Sequence, residues 1–237
     1  MKKNPYLSPN YSKKIRSFKK IKFVIIHYTG MQSEIESIKR LMDKKSKVSC
    51  HYLINRRGRV LHMVPDRKIA WHAGKSRWMN YKNLNNCSIG IELVNKGHQF
   101  GYQNFTSFQI ASLIKLCKKL RKKYNIRNTN FLGHSDIAPL RKIDPGEKFP
   151  WKKLSNFNIG MWYPNQNLKI KIKDHKKQKS IFFKNLRKIG YRYFHLRKRS
   201  KKDKFAIRAF QLRYLPSRVS GAIDYKTLKI SHFLANL

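Results

Sequence analysis

The stretch Ser88-Ile-Gly-Ile-Glu-Leu-Val-Asn95 decides how the chain folds. It is short, rich in branched apolar residues and bounded by polar ones, as a strand buried inside a sheet is. Glu92 interrupts the apolar run. Alternation of side chains along a strand puts Glu92 on the face opposite Ile91 and Leu93, alongside Gly90 and Val94. Phe23-Val-Ile-Ile-His27 is a second run of this kind, flanked by basic residues and by Thr29-Gly30. Phe131-Leu-Gly-His134 is a third, and both close on a histidine.

Outward from these strands the pattern is mixed. Residues 33–45 place Ile35, Ile38, Leu41 and Met42 at helical spacing. His51–Asn55 and Val60–Val64 flank a turn containing Gly58, which predicts a hairpin. Thr106 to Tyr124 predicts the clearest helix: Thr106 and Gln109 form a capping box, and Ile110, Leu113, Ile114, Cys117 and Leu120 make one stripe. Between Pro65 and Cys87 lies a long loop carrying Trp71, His72, Gly74, Trp78 and Tyr81, and a loop of that length in a compact domain usually has a function. The expected class is α/β, a mixed sheet flanked by helices, followed by a small three-helix domain.

The expected domain order is a basic arm over 1–19, the α/β domain over 20–157, a linker over 158–179 and the helical domain over 180–237. In the last segment, 181–189, 205–214 and 225–234 have helical patterns, and Asp224 is placed to cap the final one.

Composition excludes several classes. The chain has 237 residues with 55 Lys and Arg against 11 Asp and Glu, a formal net charge of +44. Its 41% hydrophobic content is too high for a disordered polybasic tail. No apolar run approaches the ~20 residues of a membrane span. Asn4 to Lys22 supplies no apolar segment behind the basic start, so the default expectation is a cytoplasmic protein, with a periplasmic or envelope-associated one as the alternative. Cys50, Cys87 and Cys117 are too widely spaced for a disulfide framework or a CxxC site, and each is expected to fill a small apolar space. The charge raises nucleic acid as a partner, but no helix-turn-helix, zinc-finger or RNA-binding signature accompanies it. The expectation is general attraction to anionic polymers or envelopes, without specific nucleic-acid recognition.

With so few acids, carboxylate chemistry has few sources. His27 and His134 at strand ends, with Asp144 in a turn ten residues beyond, supply two imidazoles and a carboxylate, the set of a catalytic zinc site with an open fourth position. Taken singly, a strand-end histidine is more often a surface or hydrogen-bonded residue, and an Asp before Pro-Gly more often a turn former. Glu92 reads either as an acid on a solvated or ion-paired face, or as a general base beside a metal-held water. Lys142 is a candidate for stabilising a developing oxyanion. The remaining histidines, His51, His62, His98, His175, His195 and His232, read as structural or solvent-facing.

Five separated segments then occur in order: His27-Tyr-Thr, Trp71-His-Ala-Gly74 with Ser76, Ser88-Ile-Gly-Ile-Glu92, Gly133-His134-Ser-Asp-Ile-Ala-Pro139, and Lys142-Ile-Asp144-Pro-Gly146. Together they resemble the zinc-dependent N-acetylmuramoyl-L-alanine amidases, a family related to peptidoglycan-recognition proteins. The resemblance runs from about residue 20 to 155. It implies Zn2+ on His27, His134 and Asp144, Glu92 as catalytic acid and base, and Lys142 as transition-state stabiliser. The implied substrate is peptidoglycan or a muropeptide, cut between N-acetylmuramic acid and L-alanine. Trp71 and His72 fall near the family's substrate groove, though Trp71 reads equally as packing beneath its loop. A non-catalytic recognition protein is the alternative, and a charge-driven nucleic-acid binder a more distant one. Phe205-Ala-Ile-Arg-Ala-Phe-Gln211, Val219–Asp224 and Thr227-Leu228 resemble a three-helix peptidoglycan-binding module, the alternative being a helical cap on the catalytic domain. The oligomeric state is not readable.

Overall fold

The structure is a computed structural model that describes residues 5–164 and 177–237. At its centre is a five-stranded sheet built from β2 (Phe23–Tyr28), β3 (Tyr52–Ile54), β4 (Val60–His62), β8 (Ser88–Leu93) and β9 (Phe131–Gly133), in the order β4-β3-β8-β2-β9. Strands β3, β8, β2 and β9 run parallel, and β4 returns antiparallel on β3 as the predicted hairpin. The three apolar runs therefore lie side by side.

Each face of this sheet has its own core. Val24, Ile26, Ile89, Ile91 and Leu93 pack in one cluster with Ile110, Leu113, Cys117 and Leu120 of α2 (Ser107–Tyr124). The opposite residues of the central strands, Phe23, Ile25 and Leu132, join a second cluster. That cluster contains Phe182, Phe183 and Leu186 of α5 (Gln178–Ile189), Phe210 of α6 (Asp203–Tyr214) and Leu228 of α7 (Tyr225–Leu234). The C-terminal helices and the sheet thus share one apolar interior. A buried Leu, Ile or Phe contributes about 1.5–3 kcal/mol, so this interface is substantial. Asp224 caps α7 by accepting from the Thr227 N–H at 2.7 Å, as its position predicts.

Several local expectations change. Within the segment expected as a basic arm, β1 (Tyr11–Ile15) pairs antiparallel with β5 (Lys68–Ala70). The long loop also holds the short hairpin of β6 (Arg77–Trp78) and β7 (Tyr81–Lys82), whose strands are too short to show a period in sequence. On α1 (Glu34–Met42), Ile38, Leu41 and Met42 pack against Cys50, Leu53 and Met63. First-turn Ile35 falls outside that cluster and is 65% exposed. His134 opens α3 (His134–Ile137) instead of closing its strand, because the Asp136 carboxylate accepts the Gly133 N–H at 2.8 Å and starts a helical turn there. Residues 165–176 of the expected linker, His175 among them, lie outside the described residues. A last short helix, α4 (Trp151–Ser155), precedes that segment.

The capping box of α2 is fully formed. Thr106 Oγ1 accepts from the Gln109 N–H at 3.1 Å and donates to the Arg56 carbonyl at 2.7 Å, tying the helix start to the hairpin turn. Thr106→Ala is expected to cost about 1–2 kcal/mol. Denaturant unfolding should show a lower midpoint with an unchanged slope; an unchanged midpoint refutes the cap's contribution.

Candidate metal and active site

Parallel register builds the site. In the β2–β8 ladder His27 lies beside Glu92, and in the β2–β9 ladder Ile26 lies beside Gly133, so His134 continues at the level of His27. Three adjacent strands therefore deliver Glu92, His27 and His134 to one end of the sheet. Asp144 arrives on the following loop, which the Ser135 N–H fastens by donating to the Asp144 carbonyl at 2.9 Å. The loop sits close: a Cβ on Gly133 would stand 2.7 Å from Pro145 Cδ.

His27 Nδ1 and His134 Nδ1 are 2.9 Å apart, and each is 3.1 Å from Asp144 Oδ2. All three side chains are buried. Their outer contacts fix the protons. Ser88 Oγ donates to the Leu84 carbonyl at 2.6 Å, so it accepts from His72 Nε2 at 3.2 Å. His72 Nδ1 is then an acceptor, and it takes the proton of His27 Nε2 at 3.0 Å. His134 Nε2 faces the Ala73 carbonyl at 3.2 Å, and Arg141 Nη2, which also donates to that carbonyl, stands 3.3 Å from the same nitrogen. His27 Nδ1 consequently presents a lone pair to the carboxylate side, and His134 Nδ1 does so in the tautomer whose proton points at the Ala73 carbonyl.

Such a convergence is repulsive without a cation and fits one well. Burial pushes His27 down to about 4, so near pH 7 its ring is neutral. Burial alone would raise Asp144, but the charge that His134 and His27 carry when protonated, and the hydrogen bonds they then donate, outweigh it and hold the carboxyl well below the usual range. Two imidazoles and one carboxylate, each imidazole oriented through its other nitrogen, are the donor set of a zinc site.

Glu92 stands differently. Its Oε2 is buried and has no hydrogen-bond partner among the described residues. Burial, with Asp144 nearby, pushes its carboxyl up to about 8, against the opposing charge of Lys142. Glu92, Lys142, Trp71 and His72 line the same cleft as the three metal-set residues, a cavity of about 620 Å³. The ammonium of exposed Lys142 is thus available at the cleft, and Trp71 is half-buried in its wall. His72 lines the cleft too, yet both its ring nitrogens are engaged by His27 and Ser88, so its ring orients a metal ligand.

Three contributors were not singled out in the sequence. The Ala73 carbonyl orients His134, and a backbone group leaves no residue signal. Ser88 closes the His72 relay, and Gly90 is where a Cβ would collide with the His72 ring. Gly90 shares the Glu92 face of the strand, so a close approach there was the available clue. Of the histidines read as structural, His51 accepts the Gly90 N–H at 3.0 Å and faces buried Arg16, a bracing contact behind the strand.

Comparison with known proteins agrees with this geometry. Residues 17–147 match the family described as N-acetylmuramoyl-L-alanine amidase. The N-acetylmuramoyl-L-alanine amidase AmiD of Escherichia coli is 35% identical over 233 residues, spanning 92% of this chain and 83% of AmiD. A structure of that AmiD in complex with the substrate anhydro-N-acetylmuramic acid-L-Ala-D-gamma-Glu-L-Lys superposes with a TM-score of 0.81 at 32% identity, covering 95% of this chain and 91% of the other. AmpDH3 of Pseudomonas aeruginosa, in complex with anhydromuramic pentapeptide, gives 0.78 at 29% identity, covering 98% and 97%.

The Glu92 environment makes a sign-definite prediction for the metal-free protein. Its carboxyl holds a proton up to about 8 when folded, against 4.5 for the ordinary group, so the folded state binds more protons between those values. Stability therefore falls as pH rises through that window. Glu92→Gln carries no such penalty. In EDTA, the melting-temperature gap between this variant and the wild type should widen from pH 5 to pH 9, by the equivalent of about 1 kcal/mol or more. A gap that stays flat with pH shows a solvated carboxyl.

Proposed function

The chain belongs to the N-acetylmuramoyl-L-alanine amidase family, and we propose that it cuts muropeptides with Glu92 and Lys142 at a zinc centre held by His27, His134 and Asp144. The bond is the amide between the lactyl group of N-acetylmuramic acid and the L-alanine that starts the stem peptide. The observation that carries this reading is the unpaired, buried Glu92 Oε2 in the same cleft as two imidazole lone pairs and a carboxylate.

Zinc at such a set supplies Lewis acidity, polarising the amide carbonyl and lowering the pKa of a water. The protein's own groups do the rest. His72 and the Ala73 carbonyl hold the two imidazoles in the tautomers that leave Nδ1 free. Glu92 takes a proton from the attacking water on its open oxygen and delivers it to the alanine nitrogen as the C–N bond breaks. A proton affinity raised by burial suits both halves of that transfer, since the same group must accept and then release. The Lys142 ammonium, at the cleft and exposed, offsets the negative charge that grows on the carbonyl oxygen. Trp71 supplies apolar surface on the cleft wall for the sugar or the lactyl group.

Support for the anhydro form of the substrate comes from the two relatives solved with anhydromuramyl peptides, whose folds this chain matches along nearly its whole length. We therefore propose soluble anhydromuropeptides as substrates.

Zinc-loaded protein incubated with anhydromuropeptides should release a stem peptide beginning with L-alanine, read by mass spectrometry, and EDTA should abolish the release. Glu92→Gln should keep its zinc and lose roughly 10²–10⁴-fold in kcat. Asp144→Ala should lose the metal, read by elemental analysis. Full zinc occupancy in that variant refutes the ligand assignment, and near-normal turnover in Glu92→Gln refutes the proton carrier. Bound zinc with no cleavage in the wild type would favour a recognition protein.

A further inference from the structure

The turn that carries His134 is gripped from behind by the C-terminal helices. Asp136, two residues on, is 1% exposed. Its Oδ2 accepts the Gly133 N–H at 2.8 Å, which sets the start of α3. The same oxygen accepts from Arg213 Nη1 at 2.6 Å, and Oδ1 accepts from the Tyr191 hydroxyl at 2.5 Å. Arg213 lies on α6 and Tyr191 just after α5. Arg213 is itself 2% exposed, and its Nη2 donates to the Phe131 carbonyl on β9 at 3.0 Å.

Two of the three Arg213 nitrogens are bonded in this way, while Nε is buried with no partner among the described residues. The guanidinium stacks 4.0 Å over the Trp151 ring, and a Cβ on Gly160 would come within 2.9 Å of Nη2. The guanidinium fork thus spans β9 and α3, the two elements whose junction fixes the His134 backbone. The α3 turn also reaches Asp144 through the Ser135 N–H. One buried charge pair therefore stands behind two of the three metal-set residues.

From this we infer that Arg213 and Tyr191 are positioning residues of the metal centre: the C-terminal helices hold Asp136, and through it set His134 and Asp144. The inference rests on the zinc reading given above. It assigns the helical unit a part in building the active site, whatever it binds on its outer surface. A helical cap that only covered apolar area would need no buried ion pair, since such pairs cost desolvation and seldom add net stability over well-packed apolar residues. What a fixed guanidinium bonded at once to Asp136 and to the Phe131 carbonyl adds is geometry.

The test measures zinc affinity by chelator competition at a temperature where circular dichroism shows each full-length variant folded. The visible spectrum of the cobalt-loaded protein reports ligand geometry in parallel. Arg213→Met leaves Asp136 buried without its cation and is expected to weaken zinc about tenfold, the lower end of what outer-sphere partners contribute. It should also alter the cobalt spectrum. Tyr191→Phe removes one hydroxyl, keeps the ring and is expected to weaken zinc several-fold; it carries the test alone if Arg213→Met does not fold. Ile189→Ala loosens the same interface without touching Asp136, and should lower the melting temperature while leaving zinc affinity and the cobalt spectrum as in wild type. Unchanged zinc affinity in Tyr191→Phe and in folded Arg213→Met overturns the inference, as does an equal loss in Ile189→Ala. A wild-type protein that binds no zinc overturns the metal reading, an outcome that the wild-type titration alone identifies.

Discussion

Two imidazole nitrogens and one carboxylate oxygen meet within about 3 Å of one another in a buried place. With the ring protons turned outward all three are acceptors, and a cation between them makes that arrangement favourable. Much of the surrounding structure is explained as what it takes to hold three such groups together. The tautomers have to be set from outside, and they are: Ser88 and Leu84 set His72, His72 sets His27, and the Ala73 carbonyl sets His134. Both settings come from the single segment Trp71–Gly74, which is why the loop carrying it is long yet well tied down. Asn85 accepts the backbone N–H groups of His72 and Ala73, and the Trp71 N–H goes to Ser49 Oγ.

The sheet provides the other half of the constraint. Parallel neighbours keep equivalent side chains in line, so a residue at the same level on β8, β2 and beyond β9 reaches one site without any loop having to place it. The helical crossover that parallel pairing demands puts α2 on one face of the sheet, and its apolar stripe covers that face. The other face remains to be covered where His27 and Glu92 project. The C-terminal helices and the Trp71 loop share that work, the helices over Phe23 and Ile25, the loop over the metal set. Site and interdomain interface are therefore neighbours by necessity.

This division explains what could be read from the amino-acid sequence. The strands at 23–28 and 88–93, the helix from Ser107 with its capping box, and the three C-terminal helices all have periods or caps that local chemistry dictates, and they occur where the patterns place them. His27, His134 and Asp144 were one candidate set among open readings until the ordered segments around them gave the family resemblance, and the structure brings the three together. Less was legible wherever the cause is tertiary. Strands β5, β6 and β7 are two or three residues long, so nothing periodic marks them. Asp136 stood inside a recognisable segment, but its partner Arg213 lies 77 residues away and is one of 55 cations, with no sequence feature to distinguish it. Ile35 matched the helical stripe of α1, yet the apolar cluster that the helix covers does not extend to its first turn.

The charge of the chain sharpens the meaning of Glu92. The chain has 55 cations against 11 acids. Asp66, Asp136, Asp203 and Asp224 pair with Lys123, Arg213, Arg199 and Arg218, and Glu147 meets His98. Asp144 contacts only histidines among these ion pairs, and the Glu92 Oε2 contacts no donor. A fixed ammonium or guanidinium against Glu92 would hold it ionised with a depressed pKa, a stable but poor proton carrier. Burial beside His27 and Leu53, with the Asp144 charge nearby, keeps its proton affinity high instead, at a cost in stability that the metal-free protein bears. A carboxyl oxygen buried without a donor, in the same cleft as two imidazoles and a carboxylate, is the environment that the proton transfer proposed for Glu92 requires.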